Sequence, residues 1–85
     1  MRLEPGFEVI NYTDRSLDIF YVDAGHEFKV YQALDPGMSV PLEVGIGPTY
    51  CTAGELIARD ASGIEVARRT EPICNHEQWV IGPPP

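Results

Sequence analysis

The sequence is short of positive charge and of long apolar runs. Its 85 residues include 6 Lys and Arg against 13 Asp and Glu, which gives a formal net charge of -7 and an isoelectric point near 4.5. Nucleic acid and anionic membranes both require a basic surface, so the composition argues against either as a partner. No apolar run approaches the ~20 residues of a membrane-spanning helix. This segment is therefore not expected to bind nucleic acid or to insert into a membrane.

Helical patterning is nearly absent as well. No window of a dozen residues free of Gly and Pro repeats apolar residues at i, i+3, i+4 and i+7. Eight Gly and eight Pro instead separate short β-type runs. The predicted strands are Phe7–Tyr12, Leu17–Asp23, Glu27–Gln32, Ser39–Val44, Glu55–Asp60, Ile64–Arg69 and Gln78–Ile81. These features predict an all-β, single-domain fold, a seven-strand antiparallel β-sandwich over residues 7–81, with a lead-in at 1–6 and a proline-rich tail at 82–85.

The residue groupings that carry catalysis or hold metals are also missing. His26 and His76 stand alone, without the H-x-x-x-H or C-x-x-C spacing of a zinc site. The serines lack a G-x-S-x-G setting and a nearby base, and the aspartates are scattered through turns rather than grouped in a calcium loop. We therefore expect a protein that is not an enzyme and that holds no metal or cofactor.

The chain has two cysteines, Cys51 and Cys74. Both lie in turn-like segments, PTYCTAG and EPICNH, which favours a disulfide between them; two buried free thiols are the alternative. Closing a loop of this length contributes about 3 kcal/mol in the chain-entropy model. The N-terminus shows no apolar stretch of the kind that directs export. A bridged pair predicts an extracellular, cell-surface or virion location, and free thiols predict the cytoplasm.

The turn Asp60-Ala61-Ser62-Gly63 gives the clearest strand pairing. A three-residue loop with Gly63 in the left-handed region sets Asp60 opposite Ile64. The same register then predicts the pairs Arg59–Glu65, Ile57–Ala67 and Glu55–Arg69. One face of this hairpin is thus expected to carry two complementary charge pairs and the other face an apolar strip.

The hairpin between Leu17 and Gln32 has two possible registers. A four-residue loop groups Ile19, Tyr21, Phe28 and Val30 on one face. A three-residue loop groups Phe20 and Val22 with Phe28 and Val30, and leaves Ile19, Tyr21 and Tyr31 facing solvent or a partner. The alternative to such a surface is a central strand covered on both sides by its own chain. A second candidate surface is the loop from Gly45 to Tyr50, with Ile46 and Tyr50 as its apolar residues.

Several segments together resemble a known group of proteins. They are VINYTD, LDIFYVD and LDPG in the first half, and CTAGELIARD, EVARR, Cys74 and WVI in the second. In this combination they resemble small β-domain proteins of actinobacteria and their phages, over roughly residues 7–81. The resemblance implies a β-domain with a Cys51–Cys74 bridge, and no activity is attached to that group.

The first half is also similar, more distantly, to the von Hippel–Lindau β-domain. The similarity lies in the motifs NYT and LDPG and in the RD that precedes Gly63. That family's domain is a sandwich that grips an extended peptide, so the resemblance implies the architecture. Here the stretch GIGPTYC occupies the position of the family's His- and Trp-bearing binding strand, so its ligand-binding residues are not carried over.

These observations favour a non-catalytic protein-interaction module whose partner is a protein or a larger assembly. The expected contact residues are Ile19, Tyr21 and Tyr31, or Ile46 and Tyr50. One alternative is a structural or decorating subunit of an assembly such as a phage particle, which would dock through its open strand edges. Another is an acidic inhibitor protein, which requires its negative charge on one face.

Overall fold

The chain folds into short β-strands joined by tight turns. A computed structural model describes residues 6–47 and 49–82. Within this range the strands are β1 (Phe7–Asn11), β2 (Leu17–Asp23), β3 (His26–Leu34), β4 (Ser39–Leu42), β5 (Cys51–Thr52), β6 (Glu55–Asp60), β7 (Glu65–Arg69), β8 (Ile73–Cys74) and β9 (Gln78–Ile81). The all-β prediction is confirmed. No helix in the described ranges is long and apolar enough to cross a membrane. Most of the predicted lead-in and tail lies outside these ranges.

The strands form three sheets, with the orders β3-β2-β6-β7, β4-β1-β9 and β5-β8. All seven predicted strands are present within two residues of their predicted ends, but the described residues contain nine strands, so the predicted number was wrong. The two additional strands are the two-residue β5 and β8, which are too short to show a periodic pattern. The expectation of purely antiparallel pairing was also wrong, because β1 and β9 run parallel.

The β2–β3 hairpin has the register predicted for the four-residue loop, but Asp23 and His26 also pair, so that the turn itself consists of Ala24 and Gly25. Asp23 pairs with His26 and Tyr21 pairs with Phe28, which excludes the alternative that groups Phe20 with Phe28. Ala24 and Gly25 both have positive φ, 52° and 81°, as a type I′ hairpin turn requires. A bulge beyond Phe20 then sets Ile19 opposite Tyr31.

The β6–β7 hairpin confirms the predicted turn and corrects the pairing beyond it. The Gly63 N–H donates to the Asp60 carbonyl at 2.9 Å, and the Asp60 N–H donates to the Ile64 carbonyl at 3.0 Å. Arg59 lies opposite Glu65, as predicted. A bulge then inserts Val66 as an unpaired residue, so the observed pairs are Ala58–Ala67, Ile57–Arg68 and Leu56–Arg69. The predicted pairs Ile57–Ala67 and Glu55–Arg69 were therefore wrong.

One cluster of buried apolar side chains joins the three sheets. Its members come from both larger sheets and from β8: Phe7, Val9, Leu17, Ile19, Leu34, Leu56, Ala58, Ile73 and Ile81. Trp79 is half-buried and packs against this cluster. The sheets are therefore held together chiefly by burial of apolar surface.

Asn11 is a fully buried polar residue at the end of β1. Its Nδ2 donates to the carbonyls of Arg15 at 2.7 Å and Leu34 at 2.8 Å. Its Oδ1 accepts from the N–H and the hydroxyl of Thr13, at 2.8 and 2.7 Å. Because every hydrogen-bonding position of the amide is used, Asn11 ties the loop between β1 and β2 and the end of β3 to the core. It is also inaccessible to modification in the folded chain, although Asn11-Tyr12-Thr13 matches a glycosylation sequence.

Candidate functional site

The outer face of the four-stranded sheet is covered by charged side chains. Across the four strands, Lys29, Phe20, Ile57 and Arg68 lie in one row. The Lys29 ammonium and the Arg59 guanidinium lie 5.6 and 4.7 Å from the centre of the Phe20 ring. Ile57 in the same row is only 1% exposed. The apolar residues of this row are thus partly or fully covered by charged side chains.

The charges on this face are joined in pairs that differ from the predicted ones. Arg59 donates to both oxygens of Glu27, at 2.6 and 2.9 Å, rather than to Glu65. Arg68 binds Glu55 at 2.5 Å and Glu65 at 2.8 Å. Hydrogen bonds from Arg59 and Arg68 lower the pKa values of Glu27 and Glu65, and the two acceptors raise the pKa of Arg68. These pairs neutralise much of the acidic charge on the sheet.

The pairs predict a pH dependence of stability. The pKa of Asp60 is lowered too, first by the backbone N–H of Ile64, so all three carboxyl groups are more acidic in the folded chain. A carboxyl group with a lowered pKa stabilises the fold when ionised, and this contribution is lost as pH falls through its folded pKa. We expect the melting temperature to stay level down to roughly pH 5 and to fall progressively below that.

Thermal unfolding followed by circular dichroism between pH 7 and pH 3 measures this trend. Glu27→Gln should start from a lower melting temperature and show a smaller drop, because it lacks one of the contributing carboxylates. Asp23→Asn is the matched control, since no ion pair involves Asp23 in the described residues. A melting temperature that rises on acidification would contradict the assignment.

The inner side of β3, in contrast, carries exposed apolar side chains. Phe28 and Tyr31 lie opposite Tyr21 and Ile19, yet they are 54% and 39% exposed. Val30 of β3, together with Tyr21, the residue paired with Phe28, lines a groove of about 470 Å³ that is open to solvent. Its lining is mainly apolar: Tyr21, Val30, Pro41, Leu42, Glu43, Val44, Thr52, Leu56 and Ile73. The groove has the concave, largely apolar character of a binding site.

The three residues of the first predicted surface, Ile19, Tyr21 and Tyr31, differ in their exposure. Ile19 is 0% exposed and belongs to the core, so its predicted place on an interaction surface was wrong. The residue is buried because it shares with Leu17 the face of β2 that packs into the core. Tyr21 is half-buried, and its hydroxyl donates to the Ala53 carbonyl at 2.8 Å. Its ring lies against Gly54, where a Cβ atom would come within 2.6 Å of Cε1. Tyr31 remains exposed.

The second predicted surface, the loop that carries Ile46 and Tyr50, is fixed by hydrogen bonds from Asn75. The side chain of Asn75 donates to the carbonyls of Gly45 at 3.0 Å and Gly47 at 2.7 Å. Ile46, between these two glycines, is 97% exposed. Tyr50 is exposed as well, and its ring lies so close to Gly45 that a Cβ atom there would clash with it. The loop therefore presents Ile46 on a fixed backbone.

The disulfide anchors this loop. The sulfur atoms of Cys51 and Cys74 lie 2.10 Å apart, the distance of a disulfide bond, so the predicted bridge is present. The two cysteines pair directly across β5 and β8, next to Asn75, whose N–H donates to the Tyr50 carbonyl at 3.0 Å. The bridge and Asn75 thus fix the same segment from two neighbouring positions.

A larger open depression of about 920 Å³ lies around Arg69. Arg69 donates to the Pro72 carbonyl and to Glu77, both at 3.2 Å, and its guanidinium carbon lies 5.0 Å from the centre of the Phe7 ring. Glu8 and Glu71 also line this depression. In the described part of the chain, no group of three or more His, Cys, Asp or Glu is arranged to hold a metal ion. The Arg69 guanidinium thus packs over the ring of Phe7, a fully buried core residue.

Comparisons of the chain with protein families, with curated proteins and with solved structures find no match. The resemblances to actinobacterial and phage β-domains and to the von Hippel–Lindau β-domain therefore remain predictions. The geometry alone identifies the surfaces described above. Phe28 and Val30 are the residues that the sequence did not single out as a surface, although the alternation of apolar residues along β3 was visible.

Proposed function

We propose that the chain is a non-catalytic protein-interaction module that binds an extended segment of a partner along β3. We further propose that its two larger sheets pack face to face as a β-sandwich, which fits the core cluster drawn from both. The observation that carries the proposal is β3 itself. It has nine residues, lies at the edge of its sheet, and all of its residues except Leu34 are exposed.

An exposed edge strand provides two kinds of contact. Its outward N–H and C=O groups can pair with another strand, which gives affinity independent of sequence. Val30 at the groove and the exposed Phe28 and Tyr31 of the same strand supply apolar area, which gives preference for particular side chains. The outer face of the four-stranded sheet also favours β3 as the binding strand. Charged side chains cover the apolar residues of that face, so the exposed apolar residues of this sheet lie along β3.

A subunit of a larger assembly is the second candidate. The observation in its favour is Ile46, a fully exposed isoleucine on a loop fixed by Asn75 and the disulfide. A fixed apolar tip of this kind suits insertion into a pocket on a neighbouring subunit. The acidic-inhibitor alternative gains no support, since much of the acidic charge on the four-stranded sheet is paired with arginine.

Selection of binders from a displayed library of random peptides tests the proposal. The enriched peptides are then added to the protein, and the shifts of its amide signals map where they bind. We expect apolar peptides of extended conformation to bind the wild-type chain and to shift the amide signals of β3 and of the groove. Phe28→Ser with Tyr31→Ser should weaken binding at least tenfold, while the melting temperature falls less than for a core substitution because neither ring belongs to the buried cluster.

Ile64→Ser is the matched control, since Ile64 is an exposed apolar residue outside the groove. It should leave peptide binding unchanged. Failure to enrich peptides that distinguish the wild type from the β3 variant would overturn the proposal. Shifts confined to the Ile46 loop would favour the assembly-subunit alternative instead.

A further inference from the structure

We infer that the strand that pairs with β3 is the β3 of a second copy of this chain, in a two-fold contact centred on Phe28. This inference rests on the proposed function, because it names the partner for the same edge. Three features of β3 favour this contact: its register in the hairpin, the charges of Glu27 and Lys29, and the exposure of Phe28.

The register decides which backbone groups of β3 face outward. In a hairpin with a two-residue turn, the residues flanking the turn form a hydrogen-bonded pair, and such pairs alternate with non-hydrogen-bonded ones. Asp23–His26 and Tyr21–Phe28 are thus hydrogen-bonded pairs, while Val22–Glu27 and Phe20–Lys29 are not. The N–H and C=O groups of Glu27 and Lys29 therefore point away from β2, toward the free edge.

A second antiparallel β3 can pair with these groups in few ways. Each hydrogen-bonded pair must join two outward-pointing residues, so Glu27 meets Glu27, Lys29 meets Lys29, or Glu27 meets Lys29. The first two registers place like charges directly opposite each other, which is destabilising. The third places opposite charges together twice, because a two-fold axis repeats the pair. Charge therefore selects the third register.

The selected register also covers the exposed ring. It places Phe28 opposite Phe28 of the second copy, on the side of β3 that borders the groove. On the outer face, the Asp18–Lys29 pair at 3.6 Å and the Glu27–Arg59 pair at 2.6 Å are extended across the axis. The result is a row of alternating charges, Asp18, Lys29, then Glu27 and Arg59 of the second copy. Two four-stranded sheets join into one sheet of eight strands.

The contact involves one short strand from each copy, so it belongs to the small, weak class of interfaces, below about 1,200 Å² of total buried surface. We expect a reversible dimer that forms as the concentration rises. Sedimentation over a wide concentration range measures it. Glu27→Lys and Lys29→Glu should each weaken dimerisation at least tenfold, because each makes the facing charges alike.

An equimolar mixture of the two variants is the sharpest form of the test. One chain then carries two lysines and the other two glutamates at the facing positions, so a mixed dimer should form at about the wild-type affinity. Asp14→Lys is the matched control, because it makes the same change of charge at an exposed turn away from β3. It should dimerise like the wild type.

Amide hydrogen exchange supplies a measurement that needs no substitution. At low concentration the amides of Glu27 and Lys29 should exchange fast and that of Phe28 slowly. At high concentration the amides of Glu27 and Lys29 should become protected, while Phe28 changes little. Exchange at Glu27 and Lys29 that is independent of concentration overturns the inference, as does a mixture that fails to form the mixed dimer.

The two proposals fail in distinguishable ways. A wild-type chain that stays monomeric but binds extended peptides along β3 overturns the dimer and supports the interaction module. A monomeric chain that also binds no peptide on β3 overturns both. A dimer whose concentration-dependent protection lies outside β3 likewise overturns the contact inferred here.

Discussion

Replacing Asn11 with alanine is expected to cost about 3–5 kcal/mol of unfolding free energy, because it removes the bonds of a fully buried amide. The Leu34 carbonyl loses its buried donor, and the Arg15 carbonyl and the Thr13 N–H lose their partners. Each buried group left without a partner costs about 1–3 kcal/mol. This is a large part of the total for a domain of 85 residues, since native proteins are stable by only about 5–15 kcal/mol. Urea denaturation measures the loss.

Asn11→Asp gives the same prediction a sharper form. A carboxylate at this position faces the carbonyls of Arg15 and Leu34, which the amide nitrogen now contacts. Burial and these oxygen neighbours would raise the pKa of the new carboxyl group, so the variant should become more stable, relative to wild type, as pH falls. Thr13→Val is the control and should cost about 1 kcal/mol, because it removes hydroxyl bonds at a partly exposed site. An Asn11→Ala variant as stable as Thr13→Val would contradict the role assigned to Asn11.

Removing the disulfide is expected to have the next largest effect. Cys51→Ser with Cys74→Ser should lower the unfolding free energy by about 3 kcal/mol, from the freedom that the unfolded chain regains across 23 residues. For a domain of this size, each kcal/mol corresponds to about 4–8 °C in melting temperature. The segment from Gly45 to Gly47 should loosen as well, because the bridge lies next to Asn75, which holds the Gly45 and Gly47 carbonyls.

Reduction of the wild-type chain serves as the matched comparison. A reductant should lower the melting temperature of the wild type to that of the double variant, and should leave the variant unchanged. Asn75→Ala keeps the bridge, so it should loosen the same loop before any reduction and should still lose melting temperature when the reductant is added. Equal melting temperatures for oxidised wild type and double variant would mean that the bridge contributes no stability.

Much of the secondary structure could be predicted from residues that are neighbours in the sequence. The strands Leu17–Asp23, Glu55–Asp60 and Gln78–Ile81 were predicted with their observed ends, because alternation and turn residues mark them. The turn before Gly63 followed from its four residues, and so did the Arg59–Glu65 pairing next to it. The pairing further along the hairpin did not, because the bulge at Val66 shifts the register by one residue.

The candidate site shows the same division. Tyr31, Ile46 and Tyr50 are exposed, as the sequence suggested, whereas Ile19 is buried. A residue in a strand with two apolar faces can point either way, and the choice depends on which face the other sheet covers. Phe28 and Val30 were visible as apolar residues, but their exposure follows from the position of β3 at the edge of its sheet.

The sequence by itself determined that this protein is all-β, where most strands begin and end, and that its two cysteines favoured a bridge. The strands depend on residues close together in the chain, and the bridge depends on the ability of two cysteines to form a disulfide. Only the tertiary structure decided the parallel pairing of β1 with β9, the small β5–β8 sheet, the bulges, and the exposure of β3. These depend on contacts between segments far apart in sequence, whose packing selects one register and one covered face from several that local patterns allow.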